Sequence, residues 1–162
     1  MSGGVTHTGP VLYRTYPIGI LGLMDDGLGL SRVFLRRKDS PAPAEEGETP
    51  LTRQAAAELE EYFAGKRMSF TVPLSPQGTP FQLAVWQALR DIPYGQTHTY
   101  GEIAAAVGRP QAARAVGMAN HDNPLLIFTP CHRVVGKDGG LTGFACGLEV
   151  KRRLLSLEGI PV

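Results

Sequence analysis

A thiol and an imidazole stand side by side at Cys131 and His132, directly after the apolar run at residues 125–128. A free thiol has a pKa of about 8.5, so attack on carbon near neutral pH requires a base or a positive charge nearby. His132 is the obvious base, although an isolated Cys-His pair is more often a packing cysteine beside a hydrogen-bonded core histidine. The pair predicts nucleophilic chemistry only where the surrounding residues support it.

Several further motifs accompany this pair in a fixed order. Asn123-Pro124 precedes it, Gly-x-x-Gly-Phe144 follows it, and a Leu-rich segment runs up to Glu158. Upstream lie Tyr-x-Glu-Ile-Ala-x-x-x-Gly108 and Ala-Ala-Arg-Ala-Val-Gly117. This order resembles the O6-alkylguanine-DNA alkyltransferase family, also called methylated-DNA–protein-cysteine methyltransferases. The resemblance is close over residues 79–158 and holds only in outline over the first seventy.

The resemblance implies a catalytic role for four of these residues. Cys131 would accept the alkyl group, and His132 would deprotonate the thiol through a water. Glu158 would orient the imidazole, and Asn123 would brace the turn that carries the thiol. The implied reaction is a one-turnover transfer of an alkyl group from O6 of guanine, and possibly O4 of thymine, to the cysteine.

The resemblance also implies how the damaged base is held. Tyr100 would contact the DNA and help to swing the nucleotide out, and it would donate to N3 of guanine, which makes the base a better leaving group. The backbone carbonyls at Cys131 and Val134 would hold the exocyclic amine, and the backbone N–H at Ala145 would hold O6. Well-studied relatives carry serine at the position of Ala145, so a side-chain hydroxyl is lost here while the backbone donor remains.

A single long cation, Arg114, stands among the small residues Ala112, Ala113 and Gly117. Small neighbours let a helix backbone approach DNA closely. In the family this arginine replaces the extruded nucleotide in the base stack, and its helix lies in the minor groove. The implied partner is double-stranded DNA with an O6-alkylguanine, bound by a monomer that needs no cofactor and no metal.

The fold that must position these residues is predicted as α+β. Apolar runs punctuated by glycine and proline between Val11 and Arg37 indicate an antiparallel meander, and Thr49-Pro50 opens a helix that ends at Gly65. Prolines and a glycine at residues 72–78 cannot continue a helix or a central strand. The sequence therefore predicts a scaffold domain at residues 1–75 and a second domain at residues 79–162.

The second domain is predicted to be mostly helical. Thr79 and Thr99 each begin a capping box, and further helices are expected at about residues 111–120 and 148–157. The two short helices on either side of Gly108 predict a helix-turn-helix. Residues 136–143 indicate a turn-rich hairpin.

Composition narrows the class of protein. The chain has 162 residues, with 16 Lys and Arg against 15 Asp and Glu, so DNA would be bound through a local patch rather than a broad positive field. No apolar run of roughly eighteen residues and no signal-like N-terminus are present, which predicts a cytoplasmic protein without a membrane span. The two cysteines lack zinc-ligand spacing, and Cys146 is interpreted as a packing residue. The remaining histidines, His7, His98 and His121, are left without a function.

Other functional classes stay open at this point. A cysteine hydrolase also uses Cys-His chemistry, but it usually brings its histidine from a distant segment, and the sequence has no separate oxyanion-hole motif. A module that recognises alkylated DNA without repairing it would have no need of Cys131. A transcription factor would need more polar side chains than the segment around Arg114 offers for base readout.

Overall fold

The computed structural model describes residues 9–37, 45–141 and 146–162. The chain forms two compact units, Met1–Gln77 and Gly78–Val162. His7, Phe144 and Ala145, which entered the sequence analysis, lie outside the described residues.

The first unit contains a three-stranded antiparallel sheet and one helix. Its elements are β1 Leu12–Tyr16, β2 Gly19–Asp25, β3 Leu30–Leu35 and α1 Pro50–Phe63, with strand order β1-β2-β3. Leu12, Leu23 and Val33 are paired across the sheet and buried on the face against which α1 packs. Thr49 caps α1 in a reciprocal box with Thr52. The predicted meander, followed by a helix, is confirmed.

The second unit is built mainly from helices. Its elements are α2 Pro80–Arg90, β4 His98–Thr99, α3 Tyr100–Ala106, α4 Ala113–His121, β5 Val134–Val135 and α5 Leu148–Leu157, with a 3₁₀ turn at Cys131–Arg133 before β5. Trp86 of α2 is buried, and its indole N–H donates to the carbonyl of Ala119 in α4 at 2.8 Å. This contact ties α2 to α4 in the core, and the observed architecture is the predicted α+β class.

The capping boxes begin α2 and α3 where the sequence predicts. The hydroxyl of Thr79 accepts from the backbone of Gln82, and that of Thr99 accepts from Glu102. The third predicted helix begins later than expected, at Ala113 instead of residue 111. The N–H of Ala112 donates to the carbonyl of Arg109 in a turn, and Ala112 has no side chain that could cap a helix.

Two further expectations can be compared with the described residues. The backbone N–H of Gly136 donates to the carbonyl of Gly140 at 2.8 Å, so a tight turn is present, but residues 136–141 contain no strand and the rest of the predicted hairpin is not described. No helix within the described ranges is long and apolar enough to cross a membrane.

Candidate active site

The segment that leads to Cys131 is folded into two consecutive tight turns. Ile127 has a φ of 73°, and the N–H of Phe128 donates to the carbonyl of Leu126 at 2.9 Å, which forms a γ-turn. Positive φ is strained for a β-branched residue. The N–H of Cys131 then donates to the carbonyl of Thr129 at 2.8 Å across Pro130. Together the turns fix the position of the thiol.

One side chain closes this strained loop. Asn123 donates through Nδ2 to the carbonyl of Thr129 at 2.8 Å, and its Oδ1 accepts from the N–H of Leu125 at 2.9 Å. A hydrogen bond from Asn123 also lowers the pKa of the Cys131 thiol. The structure therefore brings Asn123 beside the residue that it is predicted to brace.

The Cys131 thiol lies inside the protein, with 4% of the residue exposed. Burial raises the pKa of Cys131 to about 12, against the opposing effects of the Asn123 hydrogen bond and the charge of Lys151. Cys146 is half-buried and reduced, and its charge also raises the pKa of Cys131. At neutral pH the resting form is the thiol, so nucleophilic attack depends on removal of its proton.

His132 and Glu158 form a buried pair directly beside the thiol. The imidazole Nε2 lies 2.7 Å from the Oε2 atom of Glu158, and neither side chain is exposed. Burial lowers the pKa of His132 more than Glu158 raises it, so the imidazole is neutral. Because a carboxylate only accepts hydrogen bonds, Nε2 carries the proton and Nδ1 presents a lone pair. Nδ1 is buried, with no hydrogen-bond partner within the part of the chain that is described.

Two buried cations at this site were missed by the sequence analysis. Arg133 donates from Nε and Nη2 to Glu158 at 2.8 and 3.0 Å, and Lys151 of α5 is fully buried. Lysine and arginine side chains are usually exposed, so the sequence gives no indication that these two are buried. One signal was available: Lys151 lies seven residues, two helical turns, before Glu158, the C-cap residue of α5, so the two side chains are expected on the same side.

A short parallel strand pair connects Tyr100 to this group. His98 pairs with Val134 and Thr99 with Val135, so β4 ends at Tyr100 while β5 follows directly after the turn that contains Cys131. Val134 is fully buried, and its N–H donates to the carbonyl of Cys131. Tyr100 is half-buried at the start of α3, and a side chain at Gly117 of α4 would contact its ring.

The proposed DNA contacts other than Tyr100 lie on α4 and at its N-cap. Arg114 is exposed near the beginning of this helix, and Ala112 and Ala113 beside it are half-buried. Gly117, one turn later, lacks a side chain where α4 faces Tyr100. His121 at the end of α4 is exposed and pairs with Asp122 at 3.4 Å, as expected of a surface residue. The described residues contain no cluster of three or more His, Cys, Asp or Glu side chains that could hold a metal.

Two family models match the chain and together cover most of it. The 6-O-methylguanine DNA methyltransferase DNA binding domain matches residues 80–160, and the 6-O-methylguanine DNA methyltransferase ribonuclease-like domain matches residues 11–76. These ranges correspond closely to the two compact units.

Curated relatives and solved structures agree with the family models. The methylated-DNA–protein-cysteine methyltransferase of Methanosarcina acetivorans is 52% identical over 147 residues, which cover 88% of this chain and 94% of the relative. The constitutive Bacillus subtilis protein of the same name is 48% identical, over 89% and 92% of the two chains. The crystal structure of Mycobacterium tuberculosis OGT in complex with DNA superposes with a TM-score of 0.85 at 43% identity, covering 93% and 92%.

Proposed function

The chain belongs to the 6-O-methylguanine DNA methyltransferase family and repairs DNA by alkyl transfer to protein cysteine, and we propose that Cys131 is the acceptor. The observation that carries this proposal is the buried arrangement at the 3₁₀ turn. Cys131 is the first residue of the turn and His132 is the second. Nε2 of His132 lies 2.7 Å from Glu158, and Nδ1 is available to accept a proton.

The thiol is activated by His132 acting as a general base. Nδ1 of His132 takes the proton of Cys131 through an intervening water, while Glu158 accepts from Nε2 and keeps the imidazole in the tautomer that has its lone pair on Nδ1. The sulfur then attacks the alkyl carbon, the S–C bond forms as the C–O6 bond breaks, and the electron pair passes to the purine. Asn123 keeps the loop in place throughout.

The base leaves as unmodified guanine because its developing charge is neutralised in the pocket. Tyr100 gives a proton to N3 and recovers one from the protonated His132 through solvent, and the backbone N–H of Ala145 donates a hydrogen bond to O6. The carbonyls of Cys131 and Val134 accept from the exocyclic amine. Tyr100 begins α3 immediately after β4, and Val134 begins β5, so the β4–β5 pairing supports a pocket with these groups on facing segments.

The damaged nucleotide reaches this pocket by rotation out of the duplex. Helices α3 and α4 act as a helix-turn-helix that lies in the minor groove, with Ala112, Ala113 and Gly117 allowing close approach. Arg114 fills the space that the nucleotide leaves. Flipping costs a few kcal/mol, which contacts to phosphates and this wedge offset. The protein acts as a monomer in the cytoplasm, without cofactor or metal.

Each molecule reacts once, because a thioether is not displaced by water or by a general base. O4-alkylthymine offers a similar electrophile, an alkyl carbon on an exocyclic oxygen beside a ring nitrogen, and is proposed as a second substrate. The test is intact-protein mass spectrometry after incubation with a duplex that contains either lesion. We expect one added methyl mass on Cys131, absent in Cys131→Ala and retained in the control Cys146→Ala.

Each other outcome would change a different part of the proposal. An unmodified protein that still binds the lesion would indicate recognition without repair. Repeated product formation from less than one equivalent of protein would contradict the single-turnover mechanism. A methyl group mapped to Cys146 would reassign the acceptor.

A further inference from the structure

Arg133 is a buried cation at the site that makes several contacts through its guanidinium group. Its Nε and Nη2 donate to the two carboxylate oxygens of Glu158 at 2.8 and 3.0 Å, and Nη1 donates to the carbonyl of Ile92 at 2.7 Å. The guanidinium carbon also lies 5.8 Å from the ring centre of Tyr94. Only 5% of the residue is exposed. Nothing in the proposed alkyl transfer requires these contacts.

Arg133 and His132 share one carboxylate. Oε2 of Glu158 lies 2.7 Å from His132 Nε2 and also accepts from Arg133, while Oε1 accepts from Arg133 and from the backbone N–H of Gly95 at 3.2 Å. A guanidinium is charged at any accessible pH. The negative charge that faces the imidazole is therefore already compensated by a bidentate ion pair.

The other groups that face His132 do not restore this negative charge. Lys151 of α5 adds a second positive charge near the imidazole. The Cys131 thiol is protonated, and Tyr94, which follows α2, is a neutral phenol. Cys146 lies near the Cys131 thiol. A proton on His132 would thus create a third positive charge around a single carboxylate in a buried site.

We propose that Arg133 is a positioning residue for the base: by binding both oxygens of Glu158 it keeps His132 unprotonated and its Nδ1 lone pair ready over the physiological pH range. This inference rests on the proposed role of His132 as the base. A single carboxylate held only by the imidazole would favour the imidazolium and make the base unavailable in mildly acidic conditions. The bidentate contact also holds Glu158 in the orientation that keeps the proton on Nε2.

The first test is the titration of His132 itself, followed by imidazole nitrogen chemical shifts in the intact protein. The resonance is assigned by comparison with His132→Gln. We expect His132 in the wild type to titrate below its ordinary pKa of about 6.5 in spite of the carboxylate at 2.7 Å. A wild-type His132 that titrates above that value would overturn the proposal without any change at Arg133.

The second test removes the compensating charge. In Arg133→Met, the unpaired Glu158 should raise the titration of His132 by about one to three pH units, the usual effect of an opposite charge in contact. Arg133→Lys keeps the charge and should stay close to wild type. The matched control is Arg90→Met, because Arg90 also contacts the active-site loop, with Nη1 at 3.3 Å from the hydroxyl of Thr129, but does not touch Glu158.

The pH dependence of single-turnover alkyl transfer completes the experiment. Arg133→Met should react about tenfold more slowly for each pH unit below its raised titration point, and the rate should recover at high pH. If Arg133→Met transfers the alkyl group more slowly by the same factor at all pH values, and His132 titrates as in wild type, Arg133 has only a structural role. If Arg133→Met does not fold, Arg133→Gln replaces it, because this side chain keeps amide donors beside Glu158 and removes the charge. A raised titration of His132 in Arg133→Gln supports the proposal, and an unchanged titration overturns it.

The titration does not depend on repair activity, so the two proposals can fail separately. Absence of alkyl transfer together with a raised titration point in Arg133→Met would reject the proposed function and keep this inference. Normal alkyl transfer by the wild type, together with an unchanged titration of His132 in Arg133→Met, would keep the proposed function and reject this inference.

Discussion

The amide nitrogen of Asn123 lies 2.8 Å from the carbonyl oxygen of Thr129, two residues before Cys131. Because Oδ1 of the same side chain accepts from Leu125, one residue joins the two ends of a loop that contains a γ-turn at Ile127. The position of the nucleophile therefore depends on a residue that need not contact the substrate.

Asn123→Ala should lower both stability and the rate of alkyl transfer. The N–H of Leu125, a fully buried residue, would lose its acceptor, and the carbonyl of Thr129 would keep only its bond from the N–H of Cys131. Leaving a buried polar group unpaired costs about 1–3 kcal/mol. Urea denaturation gives the free energy of unfolding, and single-turnover mass spectrometry gives the rate. The control is Gln77→Ala at an exposed position away from this loop in the sequence, which should change neither. A fully stable Asn123→Ala protein would mean that the loop closes without this side chain.

Arg114→Ala should impair reaction with DNA but not with a free base. Loss of the wedge removes stabilisation of the flipped state, and about 1.4 kcal/mol corresponds to a tenfold slower reaction on a methylated duplex. Reaction with the free base O6-methylguanine requires no flipping, so its rate should stay well within the tenfold change that about 1.4 kcal/mol represents. Arg152→Ala on α5 controls for the loss of an exposed arginine. If Arg114→Ala reacts more slowly by the same factor with the duplex and with the free base, Arg114 acts in the pocket instead.

Folding stability should decrease as the pH falls below about 6.5. The pKa of His132 is lowered by burial in the folded protein, so below the ordinary pKa the unfolded chain binds a proton that the folded chain does not. As the pH falls from the ordinary pKa to the lower pKa of the folded state, the free energy of unfolding decreases by up to about 1.4 kcal/mol per pH unit. Urea denaturation at several pH values should show a shallower dependence for His132→Gln than for wild type. The exposed control His121→Gln should match wild type, and parallel slopes for all three proteins would contradict this prediction.

Alkylation of Cys131 should destabilise the protein. The thiol is buried among packed side chains, and overpacking costs about 1–3 kcal/mol. For a chain of this size, each kcal/mol lowers the melting temperature by about 2–4 °C. Calorimetry before and after reaction checks this, and a benzyl group should lower the melting temperature more than a methyl group. No change in melting temperature after complete alkylation would show that the pocket accommodates the product without crowding.

Local sequence signals predicted most of the fold. The capping boxes at Thr79 and Thr99 specify helix starts because each satisfies two backbone N–H groups, and both were found. The start of α4 was misplaced because Gln111 and Ala112 carry no such signal. The pairing of His98 with Val134 could not be predicted, since two-residue strands far apart in sequence have no periodic pattern.

The site was predicted unevenly for a physical reason. Residues with evident chemistry, such as Cys131 and His132, could be identified from type and order. The compensating charge on Arg133 could not, because an arginine in sequence gives no sign of whether it is exposed or paired inside the protein. Its role depends on where the carboxylate of Glu158 lies, and only the folded chain supplies that position.

Burial of Cys131 has a further consequence for a protein that is used up by its own reaction. With a pKa near 12, the thiolate fraction of the resting protein at neutral pH is on the order of 10⁻⁵. Diffusing electrophiles and oxidants react with thiolates, so they should consume few molecules before damage occurs. The same burial that makes the nucleophile slow to act unaided preserves the supply of unreacted protein, and it reserves the single reaction of each molecule for a lesion delivered into the pocket.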